Sequence, residues 1–345
     1  MSSLRALGDC SNLHDIRHWI ERIYSPTIYQ RLKECRPIED NSTGFTTPIL
    51  HVTSCYRPSR PSIVNATPTS LSSSSLYTLR VGAGMPTHPI DRFVLDFSRA
   101  ISHRIIYTGA ILREEPNLQC RYHHKFDGGM KALRRECRVK DQLPNISILT
   151  RHPESIDWNH RIFETSRQNI DIIYPSKEAA THTEQRTFQG HSKSVTFRSI
   201  GDRSFEEFLL DYARSPLSTD SVEQFPSSTP LSSSLPSSSF SGLFHPFLHH
   251  LSLEAGPSVT RQLYQSPAGT TSRPIVQRIL VSIFHSNLSR EEEKRVLVPN
   301  HEAHSPDAIA PSLDLDYLHH HYQQLSEYQD GEWSFHCFER KESNP

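Results

Sequence analysis

The sequence predicts an α/β protein with a mostly parallel sheet and helices on both faces. Three observations lead there. Short apolar runs of strand length recur along the chain, amphipathic helical stretches stand between several of them, and one stretch, Phe247 to Tyr264, changes period across a glycine. In FLHHLSLEAGPSVTRQLY the apolar Leu248, Leu251 and Leu253 read as a strand, whereas Val259, Leu263 and Tyr264 recur at helical spacing. Glu254, Ala255 and Gly256 then form the turn. Pro257 suits a first helical residue, because its φ is already near the helical value and it has no amide hydrogen to leave unpaired, and Gly256 or Ser258 serves as the cap. In an open α/β sheet such a turn lies at the carboxyl edge of the strands, where the free amides of a helix start favour an anion such as a phosphate. A purely structural turn would show the same spacing.

The other elements follow in chain order. From Ser11 to Leu32, Ile16, Trp19, Ile20 and Ile23 form one apolar stripe with Ser11 or Asn12 as cap and Pro26 as interruption, which predicts an amphipathic helix outside the sheet. Pro48 to Tyr56 reads as a first strand, and the Pro- and Ser-rich stretch from about Arg57 to Ser75 as a loop. Ile90 to Ala100 reads as a helix with Phe93, Val94, Phe97 and Ala100 inward, leading into a strand at Ile105 to Tyr107 that ends at Thr108 and Gly109. The polar string LREEP follows, then a basic loop over Arg121 to Lys140. Ile146 to Thr150, Ile170 to Tyr174 and Ser194 to Ile200 read as strands, and Ser204 with Glu207 as a capping box for the helix SFEEFLLDYAR. Val276 to Phe284 reads as a strand, Ser289 to Pro311 as irregular, and Trp333 to Phe338 as the final strand.

Composition narrows the function classes. Only 35% of the 345 residues are hydrophobic, which suits one core with polar additions better than two complete cores. With 37 basic and 38 acidic residues there is no global field to hold nucleic acid or an anionic membrane. No segment approaches the ~20 apolar residues that span a bilayer. The six cysteines show no C-x-x-C pair and the amino terminus no continuous apolar core, so reduced thiols in a cytoplasmic protein are expected.

Three stretches, in order, carry a family resemblance: DRFVLDFSRAISHRIIYTGAILREEPNL, ISILTRHPESIDWNHRIFE and HHLSLEAGPSVTRQLY. They resemble the reductase domain of riboflavin biosynthesis, a member of the dihydrofolate-reductase-like superfamily. That pattern has an Arg-bearing helix, a strand ending in Gly-x-Gly-Thr followed by two acids and a proline, a strand with Leu-Thr-Arg, and a strand ending in Glu-Gly-Gly-Pro. The resemblance spans about Leu50 to Arg340. It implies a three-layer sandwich with helices on both faces of the sheet, NADPH as cofactor across the carboxyl edge, hydride transfer to a ribosylamino-pyrimidine phosphate, and a homodimer. It divides the chain into an extension, 1–46, with an amphipathic helix, and a reductase-like domain, 47–340, with low-complexity inserts near 57–75 and 215–241.

Carried over by position, Thr108, Gly109 and Ala110 stand in the first cofactor loop, with Tyr107 where the family has its other glycine and Ala110 where it has threonine. Glu254, Ala255, Gly256, Pro257 and Ser258 stand in the phosphate-facing turn, with Ala255 in place of a glycine. Thr53 and Ser54 correspond to polar residues that close the first strand beside the nicotinamide, but the family's following Leu-Asp-Gly is absent from CYRPSR. Two readings stay open. One is an NADPH-dependent oxidoreductase acting on a small molecule; the other is a catalytically inactive reductase-like fold that serves as a binding or scaffold protein.

Other signals carry less. The 21 histidines include pairs and a triplet, but HEAH at His301 to His304 is one residue short of the H-E-x-x-H spacing, and no metal is expected. Gly82 and Gly84 lack a third glycine at dinucleotide spacing. The run KALRRECRVK could face a phosphate, yet without interleaved aromatics it reads as a solvated face. Ser215 to Ser241 offers too little apolar surface to offset an ordering cost of roughly 1–2 kcal/mol per residue. Limited proteolysis is therefore expected to cut there first, and its deletion to leave the melting temperature within a few degrees; a collapse in stability would count against an insert.

Overall fold

The computed structural model describes residues 10–34, 38–40, 44–46, 49–58, 74–80, 86–137, 143–165, 169–176, 181–188, 191–214, 250–264, 274–297 and 311–341. The helices are α1 (Leu13–Tyr24), α2 (Pro26–Glu34), α3 (Pro89–Ile101), α4 (Gly109–Glu114), α5 (Asp127–Glu136), α6 (Arg161–Thr165), α7 (Phe205–Arg214), α8 (Pro257–Tyr264), α9 (Arg290–Val296) and α10 (Leu315–His321). The strands are β1 (Ile38–Asp40), β2 (Gly44–Thr46), β3 (Ile49–Pro58), β4 (Ser75–Thr78), β5 (Ser102–Thr108), β6 (Asn145–Leu149) and β7 (Ile170–Tyr174), then β8 (Thr181–Phe188), β9 (His191–Ser199), β10 (His250–Glu254), β11 (Arg278–Ser286), β12 (Leu313–Asp314), β13 (Tyr322–Asp330) and β14 (Trp333–Arg340).

One twelve-stranded sheet dominates, in the order β13-β14-β11-β3-β10-β5-β6-β7-β9-β8, with β4 paired to β3 and β12 to β4. The expectation of a mostly parallel sheet is corrected: the sheet is mixed. The seven strands from β11 to β9 run parallel, while β13, β14 and β8 at the margins run antiparallel to their neighbours, as do β4 and β12. The physical reason lies in the connections. The hairpin β13–β14 turns through Gly331 at φ +61, and only two residues separate β8 from β9, so neither pair has room for a crossover helix.

Alternation along the strands sorts the core. Leu50, Val52 and Tyr56 of β3 pack with Phe93, Val94 and Phe97 of α3 and with Ile16, Trp19, Ile20 and Ile23 of α1. On the opposite face, Ile49 and Cys55 join Leu251, Leu253, Val281 and Ile283 under Leu209 of α7, Leu263 of α8 and Leu318 of α10. A further cluster, Ile105, Tyr107, Ile146, Ile148 and Ile172, is covered by Leu112 and Phe163. The predicted stripe of α1 is thus buried in the main core, with Asn12 accepting from the Asp15 amide as cap and Ser25 ending the helix at φ 72. The Ser204–Glu207 capping box forms with both bonds in place.

Other expectations are corrected. The stretch read as a basic loop contains α5, whose Leu133 and Arg134 are buried. Arg134 donates to the carbonyls of Arg99 and Ala100 at 3.1 and 3.2 Å and also to that of Ser102, so its charge closes the carboxyl end of α3 rather than facing water. The polar string after Gly109 is the short helix α4, capped by Thr108. Within Ser289 to Pro311 stands α9, started by a capping box of Ser289 and Glu292. Glu254 is the last residue of β10, not part of the turn, and Arg57, Pro58 and Ser75 are strand residues. The stretches Ser215 to Ser241, Gly82 to Gly84 and His301 to His304 lie outside the described residues. Among the described residues no helix is long and apolar enough to cross a membrane.

The seat of α1 on α5 depends on a missing side chain. A Cβ on Gly129 would lie 2.4 Å from Ile16 Cγ1 and 2.7 Å from the carbonyl oxygens of Cys10 and Asn12. Gly129→Ala is therefore expected to cost about 1–3 kcal/mol, the usual range for overpacking. Urea unfolding monitored by circular dichroism measures it, and an unchanged midpoint would show that the two helices separate freely.

Candidate functional site

Four neighbouring parallel strands, β3, β10, β5 and β6, bring the singled-out residues to one edge. Glu254 pairs with Tyr107 and Leu253 with His51, so the turn after β10 lies between the end of β5 and Thr53, two residues beyond His51 on β3. On the other side of β5, Thr108 pairs with Leu149, which places Thr150 beside Gly109. Thr53, Thr108 to Ala110 and Glu254 to Ser258 therefore share the carboxyl edge that the sequence reading assigned them. This is the edge where open α/β sheets hold their ligands.

Their environments differ. Gly256 is half-buried, a Cβ built on it would meet nothing within 4 Å, and its carbonyl accepts from the Thr260 amide at 3.1 Å and the Thr260 hydroxyl at 3.0 Å. It caps α8 and leaves open space before the helix start. At Gly109 a Cβ would lie 3.0 Å from Thr150 Oγ1 and 3.2 Å from its Cβ, so that glycine answers a protein wall. Thr108 accepts from the Ile111 amide at 3.3 Å, and Thr53 Oγ1 lies 3.8 Å from Cys55 Sγ. Both threonines are buried, Ala255 is buried and Ala110 is exposed. Pro257 opens α8, with Ser258 following it.

Glu254 points to the α3 side of the sheet. Arg99 Nε and Nη2 donate to its two carboxylate oxygens at 2.8 and 2.7 Å, a bidentate pair with Arg99 only 1% exposed. Burial alone would weaken the hold of Arg99 on its proton, but Glu254 outweighs it and keeps the guanidinium charged above the ordinary arginine range. Asp96, one turn earlier on α3, accepts from the His123 amide at 2.6 Å and lies 3.1 Å from Arg92 Nη2.

Beside this pair opens a cleft of about 960 Å³, lined in part by Arg92, Glu115, Arg121, His123, His124 and Arg161. Its volume suits a metabolite-sized ligand, and its three guanidinium groups suit an anionic one. Burial pushes the Glu115 carboxyl up to about 7, with Arg99 pulling the other way. Sequence reasoning noticed the Arg-bearing helix and the two acids before Pro116 only as a pattern and named none of Arg92, Asp96, Arg99 and Arg121 as site residues. The available signal was Asp96 and Arg99, three apart and flanking Phe97 on an otherwise apolar stripe, where charges stay only if paired. Of the run Lys131 to Lys140, the described residues 131–137 do not line the cleft, and the rest lies outside the described residues. Among the described residues no group of three or more His, Cys, Asp or Glu is placed to hold a metal.

No family model and no curated protein sequence matches the chain. Among solved structures it is similar to a pyrimidine reductase-like protein from Corynebacterium diphtheriae, at 13% identity and a TM-score of 0.43, covering 86% of this chain and 93% of that one. It is also similar to a diaminohydroxyphosphoribosylaminopyrimidine deaminase/5-amino-6-(5-phosphoribosylamino)uracil reductase from Thermotoga maritima, at 11% identity and a TM-score of 0.40. That match covers 86% of this chain and 57% of the other, so this chain spans little more than half its length. Neither likeness assigns a role to any residue.

The raised Glu115 carboxyl has a pH signature. In the folded chain it holds its proton to about pH 7, whereas in the unfolded chain it releases it near the ordinary value of 4.5. The folded form thus binds more protons between these values, and its advantage is lost as pH rises through 7. Glu115→Gln, which mimics the protonated group, is expected to raise the melting temperature at pH 8 and leave it unchanged at pH 4. Equal shifts at both pH values in thermal scans would show that Glu115 is not buried as described.

Proposed function

We propose that the chain is an NADPH-dependent reductase resembling the riboflavin-biosynthesis reductase, built on a dihydrofolate-reductase-like sandwich. Its substrate would be a ribosylamino-pyrimidine-phosphate-like metabolite. The observation that carries this reading is the convergence, at one edge of β3, β10, β5 and β6, of the separate stretches on which the resemblance rests. Hydride transfer needs no strong nucleophile; it needs two ligands held face to face with water excluded.

The residues present fit that task in part. The open space at Gly256 and the amides that begin α8 suit the cofactor phosphates. The cleft suits the substrate phosphate, through Arg92 and Arg121, and Glu115 can donate a hydrogen bond while it carries its proton. When bound, NADPH supplies the hydride. Thr53 would orient a ring beside the turn; it is buried in the middle of β3, which runs on to Pro58 rather than closing at Thr53 and Ser54.

The second reading, a binding protein without turnover, is favoured by two features of the same edge. The Thr108 hydroxyl is engaged in capping α4, and Gly109 faces Thr150. The absent Asp after Ser54 points the same way.

Titration of the wild-type protein with NADPH, followed by the fluorescence of the reduced nicotinamide, tests the first reading. Because Gly256 has neither a positive φ nor a close neighbour, Gly256→Val is expected to keep the fold and weaken NADPH binding roughly tenfold or more, about 1.4 kcal/mol. Gly109→Val is expected to weaken binding and also lower stability, since its side chain meets Thr150. Absence of any wild-type affinity, or unchanged affinity in folded Gly256→Val, would remove the cofactor from this edge.

A further inference from the structure

Four charged side chains run from the cleft to the turn without a gap. Arg92 Nη2 lies 3.1 Å from Asp96 Oδ1, Arg99 Nη1 lies 3.7 Å from the same oxygen, and Arg99 grips Glu254 through its other two nitrogens. Asp96 is fully buried and Arg99 nearly so, while the Arg92 side chain is 38% exposed at the cleft. Two guanidinium groups thus compete for one carboxylate oxygen. Neither Asp96 Oδ1 nor Arg99 Nη1 has a partner in good hydrogen-bond geometry, although the charges are close.

We propose that the Arg92–Asp96–Arg99–Glu254 chain couples anion binding in the cleft to the conformation of the turn from Glu254 to Gly256. An anion that attracts Arg92 takes compensation away from Asp96. In a buried, low-dielectric setting the carboxylate then draws on the nearest remaining cation, which is Arg99. Arg99 can meet that demand only by loosening its bidentate hold on Glu254. Glu254 ends β10, and Gly256, two residues on, caps α8, so a looser hold frees the helix start. The coupling is therefore negative, and by linkage a ligand at the turn weakens anion binding in the cleft by the same factor. The reading above supplies the identity of the two ligands, a substrate phosphate and a cofactor phosphate. The coupling itself rests on the ion chain and is tested without NADPH.

The test is hydrogen–deuterium exchange of the full chain at pH 6, where Glu115 carries its proton, with and without inorganic phosphate at constant ionic strength. The expected result is slower exchange in the cleft segment 116–127 together with exchange in 251–264 faster by about fivefold or more, the lower end of usual coupling. Arg121→Ala, at an exposed rim residue, is expected to abolish both effects. Asp96→Asn is expected to keep the first and abolish the second. Protection of the cleft with unchanged exchange at the turn would overturn the proposal, as would no protection of the cleft at all. A turn effect that survives Arg121→Ala would place the phosphate directly at the turn and also overturn it. If Asp96→Asn does not fold, the wild type and Arg121→Ala decide the matter alone. Failure of NADPH to bind leaves these outcomes unaffected.

Discussion

A guanidinium taken wholly out of water must be answered by a carboxylate, and the Arg99–Glu254 pair is where this structure meets that demand. Its position makes it consequential. Arg99 lies in the last turn of α3, and Glu254 closes β10 near the middle of the parallel ladder. The pair fixes the helix against the strand with two directed bonds, where apolar contacts would allow sliding. Removing one partner of such a pair leaves a buried charge and typically costs about 3–5 kcal/mol. Around it the chain adds further constraints of the same kind: Arg134 closes the carboxyl end of α3, and Asp96 ties the helix to the loop at His123.

The parts of the fold that were legible in the sequence are those where period and punctuation agree. The helix α3 carries a clean 3.6-residue stripe, β5 and β7 carry isoleucine runs ended by Gly109 and Pro175, and β6 and β10 alternate Ile or Leu with serine. The helix α5 was illegible because two glycines open it and its polar face is rich in lysine and arginine. Gly128 and Gly129 lower helix propensity, and the gain comes from tertiary contact: each lets the backbone near Ser11 and Asn12 approach closely. The mixed character of the sheet was hidden for another reason. Its antiparallel margins, β8 and β13, are rich in polar residues such as Gln185, Arg186, Gln323 and Glu327, so a search for apolar runs passes over them.

At the candidate site, sequence reasoning named Glu254 with the glycines and threonines of the edge but not the arginines and Asp96 beside it. Motif reading looks for residues that approach a ligand. Arg99 and Asp96 approach no solvent at all, and nothing in their local spacing says that their partners are Glu254, 155 positions away in the chain, and the backbone of His123. The two glycines also looked alike in the sequence and are not. Gly256 borders open space, whereas Gly109 is pressed by Thr150 from the neighbouring strand, a distinction that only the pairing of β5 with β6 creates.

The net charge of -1 for the whole chain conceals a local asymmetry in the cleft. Of the acids that line it, Asp127 is 2.7 Å from Lys131 and Glu114 is within 3.9 Å of Arg80, so both have cations outside the lining. Glu115 lies near Arg92 of the cleft, and burial holds its carboxyl protonated up to about 7. The charge of the cleft therefore changes by one with that proton. While Glu115 keeps it, its carboxyl adds no negative charge to the cleft; once it is lost, a carboxylate near Arg92 weakens the pull on an anion. Glu115 also lies close enough to Arg99 and Glu254 to be influenced by both, so the group that tunes the cleft adjoins the ion pair that secures the turn.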